Sequence, residues 1–401
     1  MEKDPINELI KKILNEGIAV IAKHLKDNPD AREGSNGFFT HPEKVAFYFG
    51  KDHLGIEYFG KTSYQETESY VLTAMNAIWV SDENLLEKII GFSYDSTVNF
   101  QMPIPNENVN LIFPTNRGYS ALMDLKWNIF VQDGIIGMNT PCPMLEKNES
   151  YRFINCYFFD SDQRGLVTRH IKWLDIIPYN KIEDNGDRWG ISIDIKKIQA
   201  SIAYGLYYPY PKPAEDYQYS KLQRLNKFIE LFGSKDNSEP TITKFLEQDE
   251  NQFILKMKFS CIELFSQKEC IWQDQDRQPI IPDFFILNSN GYADILEFKL
   301  PTMKSNTITG SDNREAFSAE LNSYISQTRV YSEYFESPKN RKYVFDKYGF
   351  KVLKPQRILV IGRRYDFSSE DWKLIQADYS SLEIWTYDDI VATVSAHLYM
   401  D

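Results

Sequence analysis

Two parts of different fold class are predicted along the 401 residues: an α+β N-terminal region over 1–214, mostly β with an opening helix, and an α/β C-terminal domain over 239–401 whose mixed sheet is flanked by helices. A linker helix and loop over 215–238 would join them. Three observations predict this division. The length exceeds that of one compact domain. From Gly37 to about Tyr207 the chain runs in short aromatic and β-branched segments cut by turn residues, whereas after residue 239 strand-like and helix-like segments alternate. Between these regions, Tyr207 to Ala214 (YYPYPKPA) holds three prolines and can continue neither a helix nor a central strand, which makes it the expected hinge.

Taken in order, Asp4 before Pro5 signals a helix start, and Ile6, Leu9, Ile10, Ile13 and Leu14 follow at helical spacing. Strands are expected over Lys44 to Phe49, Tyr70 to Val80, Val109 to Pro114 and Tyr151 to Phe159, with a helix near Glu83 to Ile90. A helix over about Tyr217 to Phe232 carries Leu222, Leu225, Phe228, Ile229 and Phe232 on one stripe. The C-terminal order then reads helix (239–248), strands (252–265, 269–273, 281–288, 292–300), long helix (313–337), strand (357–362), helix (369–377), strand (382–386) and helix (387–398).

Composition narrows the function. Apolar residues at 42% and charged residues at 25% fit a folded protein with little disorder. The net charge of −12 opposes nucleic-acid binding by the whole surface but can hide a local patch. Lys339 to Arg364 contains nine basic residues and one acid, Asp346. Two readings of that stretch stand: a phosphate-binding surface including Lys351, Lys354, Arg357, Arg363 and Arg364, or a solvated basic loop or subunit contact. The four cysteines lack zinc-ligand spacing, and the five histidines form no catalytic cluster. Both phosphate-binding glycine signatures are absent. No apolar run is long enough to cross a membrane, and Met1 to Leu14 mix charged and polar residues with apolar ones, so a cytoplasmic protein is expected.

The informative stretch is Pro279 to Lys299, PIIPDFFILNSNGYADILEFK. Asp283 opens an apolar strand, Asn288 to Gly291 reverse the chain, and Tyr292 to Leu300 return as a second strand. Alternation puts Ala293, Ile295, Glu297 and Lys299 on one face. A three-residue loop with Gly291 in the left-handed conformation pairs Asn288 with Tyr292 and sets Asp283 opposite Glu297. Two facing carboxylates beside one ammonium repel unless paired, and a divalent cation held by Asp283 and Glu297 removes the conflict. Mg²⁺, with Mn²⁺ as a substitute, suits phosphodiester hydrolysis, and Lys299 can orient or help deprotonate the water and offset charge developing on the phosphorus. A plain surface hairpin carrying an i, i+2 Glu/Lys pair is the other reading of the same spacing.

Pro282-Asp283, thirteen intervening residues and Glu297-Phe298-Lys299 resemble the PD-(D/E)xK pattern of restriction-endonuclease-like nucleases. Gln327 and Tyr331 resemble the Gln-x-x-x-Tyr motif of RecB-like and lambda-exonuclease-like members, and at i, i+4 they share a helix face. A further acid on the helix before the hairpin is a feature of that family. Ser238 can cap this helix and Glu239 can face the sheet, or Glu239 can simply complement the helix N-terminus. Glu247 and Glu250 are less well placed on the stripe. With the segment Glu239 to Leu255, residues 217–401 look like the C-terminal part of the Shedu family of bacterial anti-phage defence proteins. That resemblance implies a nuclease acting on DNA, catalytic roles for Asp283, Glu297, Lys299, Gln327, Tyr331 and Glu239, a homo-oligomer, specifically a tetramer, and a sensing or regulatory N-terminal region. The alternative is a catalytically inert DNA-binding or oligomeric scaffold protein with a nuclease-like fold.

Overall fold

The computed structural model describes residues 5–40, 42–62, 75–79, 84–95, 101–132, 134–137, 141–163, 165–183, 189–211, 216–311, 314–367, 370–379 and 381–399. The chain is mixed α/β and forms two compact units. One comprises 1–120, 132–162 and 167–213; the other comprises 121–131, 163–166 and 214–401. Among the described residues no helix is long and apolar enough to cross a membrane. The predicted hinge lies partly outside the described residues, as do Asp4, Glu83 and the first half of the strand expected over Tyr70 to Val80.

The first unit is built on a mixed sheet that includes Met75–Trp79, Lys44–Phe49, His53–Phe59, Tyr151–Asp162 and Leu111–Pro114. Both faces are covered, and period-2 alternation decides which residues go where. Val45, Phe47 and Phe49 pack with Ile10, Ile198 and Ile202; Ala46 and Tyr48 pack with Leu85, Leu86 and Ile89 of the helix Leu85–Ile90. The opening helical segment runs on from Pro5 to Asp27, with a π turn at Ile13–Ile18. Where a strand is expected over Val109 to Pro114, Asn110 at φ +53° separates two short ones, Glu107–Val109 and Leu111–Pro114.

The second unit contains α1 (Tyr217–Gly233), α2 (Glu239–Glu247), α3 (Phe253–Phe259), β1 (Glu263–Ser266), β2 (Phe284–Leu287), β3 (Ala293–Phe298), α4 (Ala319–Tyr334), α5 (Pro338–Tyr348), β4 (Arg357–Val360), α6 (Asp371–Ala377), β5 (Leu382–Trp385) and α7 (Tyr387–Tyr399). Its sheet has the order β1-β2-β3-β4-β5, antiparallel from β1 to β3 and parallel from β3 to β5. On one face Phe285, Ala293 and Ile295 pack against Tyr331, Tyr334 and Phe335. On the other, Phe298 lies against Phe284 and Tyr387, and Phe232 of α1 lies tilted against Tyr387 with ring centroids 5.1 Å apart. The segment 121–131 joins this unit through Trp127, whose indole N–H donates to Glu230 at 3.2 Å.

Four expectations need correction. The strand over 252–265 is helix α3 followed by β1: Phe253-Ile254-Leu255 reads equally as a buried strand or a buried helical turn, and Leu, Lys and Met favour the helix. Residues 269–273 form only a single bridge, Cys270 with Ile280. The helix over 313–337 begins later, at Ala319, where the Ser318 hydroxyl accepts from the Leu321 N–H. It ends at Tyr334, and Pro338 then starts α5, so much of the basic stretch is helical rather than loop.

Candidate active site

The hairpin has the expected register. Leu287 pairs with Ala293 and Phe284 with Leu296, and the Asn288 N–H donates to the Tyr292 carbonyl at 3.0 Å. Gly291 supplies φ +82° in the turn. Continuing that register by one residue sets Asp283 opposite Glu297, and the Asp283 N–H lies 3.4 Å from Glu297 Oε2. Glu297 shares its face with Ala293 and Ile295, which points it at α4.

Around Glu297 the predicted residues converge. Lys299 Nζ donates to Glu297 Oε1 at 2.9 Å and to Glu239 Oε1 at 3.3 Å. Gln327 Nε2 donates to Glu297 Oε1 at 3.0 Å, and the Tyr331 hydroxyl donates to Oε2 at 3.2 Å. Glu297, only 4% exposed, is the most buried of the acids here; Lys299 and Tyr331 are buried as well. Glu239 thus reaches the site from the first turn of α2. Ser238 stands at the cap position, yet its hydroxyl pairs with that of Thr241 instead of a backbone N–H.

Burial, and then the charge of Asp283, raise the Glu297 carboxyl to about 7. Asp283 is also raised by burial, opposed by the Phe298 N–H, which donates to its Oδ2 at 2.8 Å. For Lys299 burial works against the charged form, but the carboxylates of Glu297, Glu239 and Asp283 outweigh it and the ammonium is held above its ordinary range. The surrounding carboxylates thus favour the charged form of Lys299.

Two contributors, Gln267 and Tyr387, are not singled out by the sequence, and a third, Glu247, stands there as less well placed on its stripe. Gln267 follows β1 at φ +50°; its backbone N–H donates to the Asp283 carbonyl and its side-chain amide to Asp283 Oδ1, both at 3.0 Å. The Tyr387 hydroxyl donates to the Lys299 carbonyl at 2.7 Å. Glu247, half-buried at the end of α2, has its carboxyl raised by burial and then by the charge of Asp283. The left-handed Gln267 is the kind of local strain that accompanies a functional position, but only the fold brings these residues to the site.

Among the described residues no group of three or more His, Cys, Asp and Glu is arranged to hold a metal ion. Asp283 and Glu297 nevertheless supply hard oxygen donors whose mutual repulsion a cation would relieve. Two carboxylates with the remaining positions left to water fit Mg²⁺.

The basic stretch divides. Lys351 and Lys354 are exposed. Arg363 is held in a fork by Asp388, with Nη2 to Oδ1 at 2.7 Å and Nε to Oδ2 at 2.9 Å, and Arg364 pairs with Asp389 at 2.7 Å. Arg357 does not reach the surface as the phosphate-binding reading requires. It is buried on β4, donates to Ser381 and Thr328, and has its guanidinium lowered by burial. Acids distant in sequence, which a local count of charges does not include, pair with two more: Asp274 with Lys339 at 2.9 Å and Glu269 with Lys347 at 3.9 Å.

Fold and centre together define a mixed α/β domain whose middle strand presents a buried Glu-x-Lys pair opposite an aspartate, closed over by a Gln and a Tyr from one helix. Residues 236–391 match the family described as Shedu protein SduA, C-terminal. Over this stretch the chain is similar to the Shedu family. A comparison with curated proteins finds no match.

Proposed function

We propose that the C-terminal domain is a Mg²⁺-dependent deoxyribonuclease, an endonuclease or nickase acting in bacterial defence against phage. The observation that carries this reading is the Glu297 carboxylate, buried yet ringed by Lys299, Gln327 and Tyr331 and faced by Asp283. As mere architecture, such a cluster costs desolvation that an apolar strand would avoid. Asp283 and Glu297 would hold the cation, which supplies polarisation of a phosphate oxygen and a bound water acidified toward neutrality. Lys299, fixed as an ammonium, offsets the charge that grows on the phosphoryl oxygens as the water oxygen bonds to phosphorus and the leaving oxygen departs. Gln327 and Tyr331 orient Glu297, and Glu239 steadies Lys299. The same resemblance supports a homo-oligomer, a tetramer, as the working assembly, which light scattering of the purified chain would read.

Supercoiled plasmid incubated with the purified full-length chain and Mg²⁺ or Mn²⁺ should be nicked or linearised. Glu297→Gln and Lys299→Ala should each lose at least ~100-fold of that rate. DNA binding with no cleavage by the unaltered chain under any metal would instead favour an inert DNA-binding or scaffold role.

A further inference from the structure

Gln327 and Tyr331, which donate to Glu297, also line a cavity of about 580 Å³ whose other walls include Trp272, Arg277, Ile281 and Val330. Its occupant would therefore lie one side chain away from the Glu297 carboxylate. The Arg277 guanidinium lies over the Trp272 ring, 4.2 Å from its centroid. Nη1 is held by Glu333 at 2.6 Å and by Gln275 at 3.2 Å. The indole itself is buried, with Nε1–H given to the Gln278 carbonyl at 3.1 Å. One face of the guanidinium is thus spent on Trp272, its orientation is set by Glu333 and Gln275, and the residue remains 37% exposed on the cavity wall. Ile281, 47% exposed and two residues before Asp283, adds an apolar surface that the domain does not cover.

A flat cation backed by an indole, beside apolar surface and side-chain amides, matches the chemistry of a nucleobase. Guanidinium planes stack on bases, and the amides of Gln278 and Gln327 can bond to a base edge. We propose that this cavity receives a base swung out of the strand being cut, stacked on the outer face of Arg277, so that the substrate is DNA carrying an unpaired nucleotide next to the reactive phosphate. This rests on the nuclease reading and specifies its substrate. A duplex base would first leave its stack, at a cost that is least where the base is already unpaired. Gapped, bulged or frayed DNA should accordingly be cut faster than fully paired DNA.

The test is a cycle on the full-length chain with Mg²⁺. Unaltered protein and Arg277→Lys, which keeps the charge but loses the plane, are each given a bulged duplex with a normal base or an abasic residue beside the cut. On the normal base Arg277→Lys should slow cleavage by about 5- to 100-fold. On the abasic substrate the two proteins should be equal, and exposed Ile281→Ser should behave in the same direction. Equal slowing on both substrates overturns the pocket while leaving the nuclease intact, whereas cleavage indifferent to Glu297→Gln overturns the nuclease reading itself. A separate arm needs no cleavage: Glu297→Gln protein is bound to bulged oligonucleotides carrying 2-aminopurine at successive positions. One position should change emission on binding and lose that change when Arg277→Lys is added; no such position refutes the pocket.

Discussion

Replacing Glu297 with Gln removes a charge while preserving shape, and its effect on stability has a sign that can be worked out. The carboxyl is raised from 4.5 to about 7 in the folded chain, so between those values the folded state holds a proton that the unfolded state has released. Stability from this group is complete below about pH 4.5 and is lost as pH rises through 7. The difference of about 2.5 units corresponds to ~3 kcal/mol, an upper limit because Asp283 and Glu297 titrate as a pair. In a domain of this size each kcal/mol moves Tm by about 2–4 °C. Thermal unfolding in EDTA should therefore show the unaltered chain losing up to about 6–12 °C relative to Glu297→Gln between pH 4 and 8. Millimolar Mg²⁺ should restore stability to the unaltered chain at pH 8 and do little for the variant. Parallel Tm-versus-pH curves for the two proteins would refute the reasoning, since they would mean that Glu297 is not held against its charge.

Gly291→Ala meets no neighbour within 4 Å, but its φ of +82° strains any side chain, so a loss of ~1–2 kcal/mol is expected in denaturant titrations. Gln267→Ala frees Asp283 of one amide donor and should cut the plasmid-cleavage rate about 10-fold, with Tm changed by no more than a few degrees. Lys351→Glu with Lys354→Glu should weaken DNA binding and flatten its dependence on salt, read by fluorescence anisotropy across a salt series. Arg357→Gln, a buried change, should lower Tm without altering that salt slope.

What could be read from sequence was what local periodicity dictates. The hairpin from Asp283 to Lys299 follows from period-2 alternation and a turn that ends in Gly291, and those alone fix which side chains share a face. Gln327 and Tyr331 meet Glu297 because i, i+4 spacing keeps them on one side of α4. Misreadings arose where local pattern is degenerate: Phe253 to Phe259 carries no period that separates a short buried helix from a strand. The neutralised arginines were illegible for a different reason, since Asp388 and Asp389 stand over twenty residues away and only the turn from β5 into α7 brings them to Arg363 and Arg364. Gln267 and Tyr387 likewise carry no signal until β1 and α7 are seated against the hairpin.

The ring of Tyr387 has a practical bearing on where this domain can be cut free. Its hydroxyl supports the carbonyl of the lysine in the centre, and one of its sides is covered by Phe228 and Phe232 of α1, a helix that lies wholly upstream of the stretch matched to the family, residues 236–391. A fragment begun at 236 would uncover that aromatic surface and loosen the strand it braces, while one begun at 216, with Asp216 capping α1 through the Gln218 and Tyr219 N–H groups, would carry its own support. The smallest fragment that keeps this centre braced is thus longer than the stretch that matches the family.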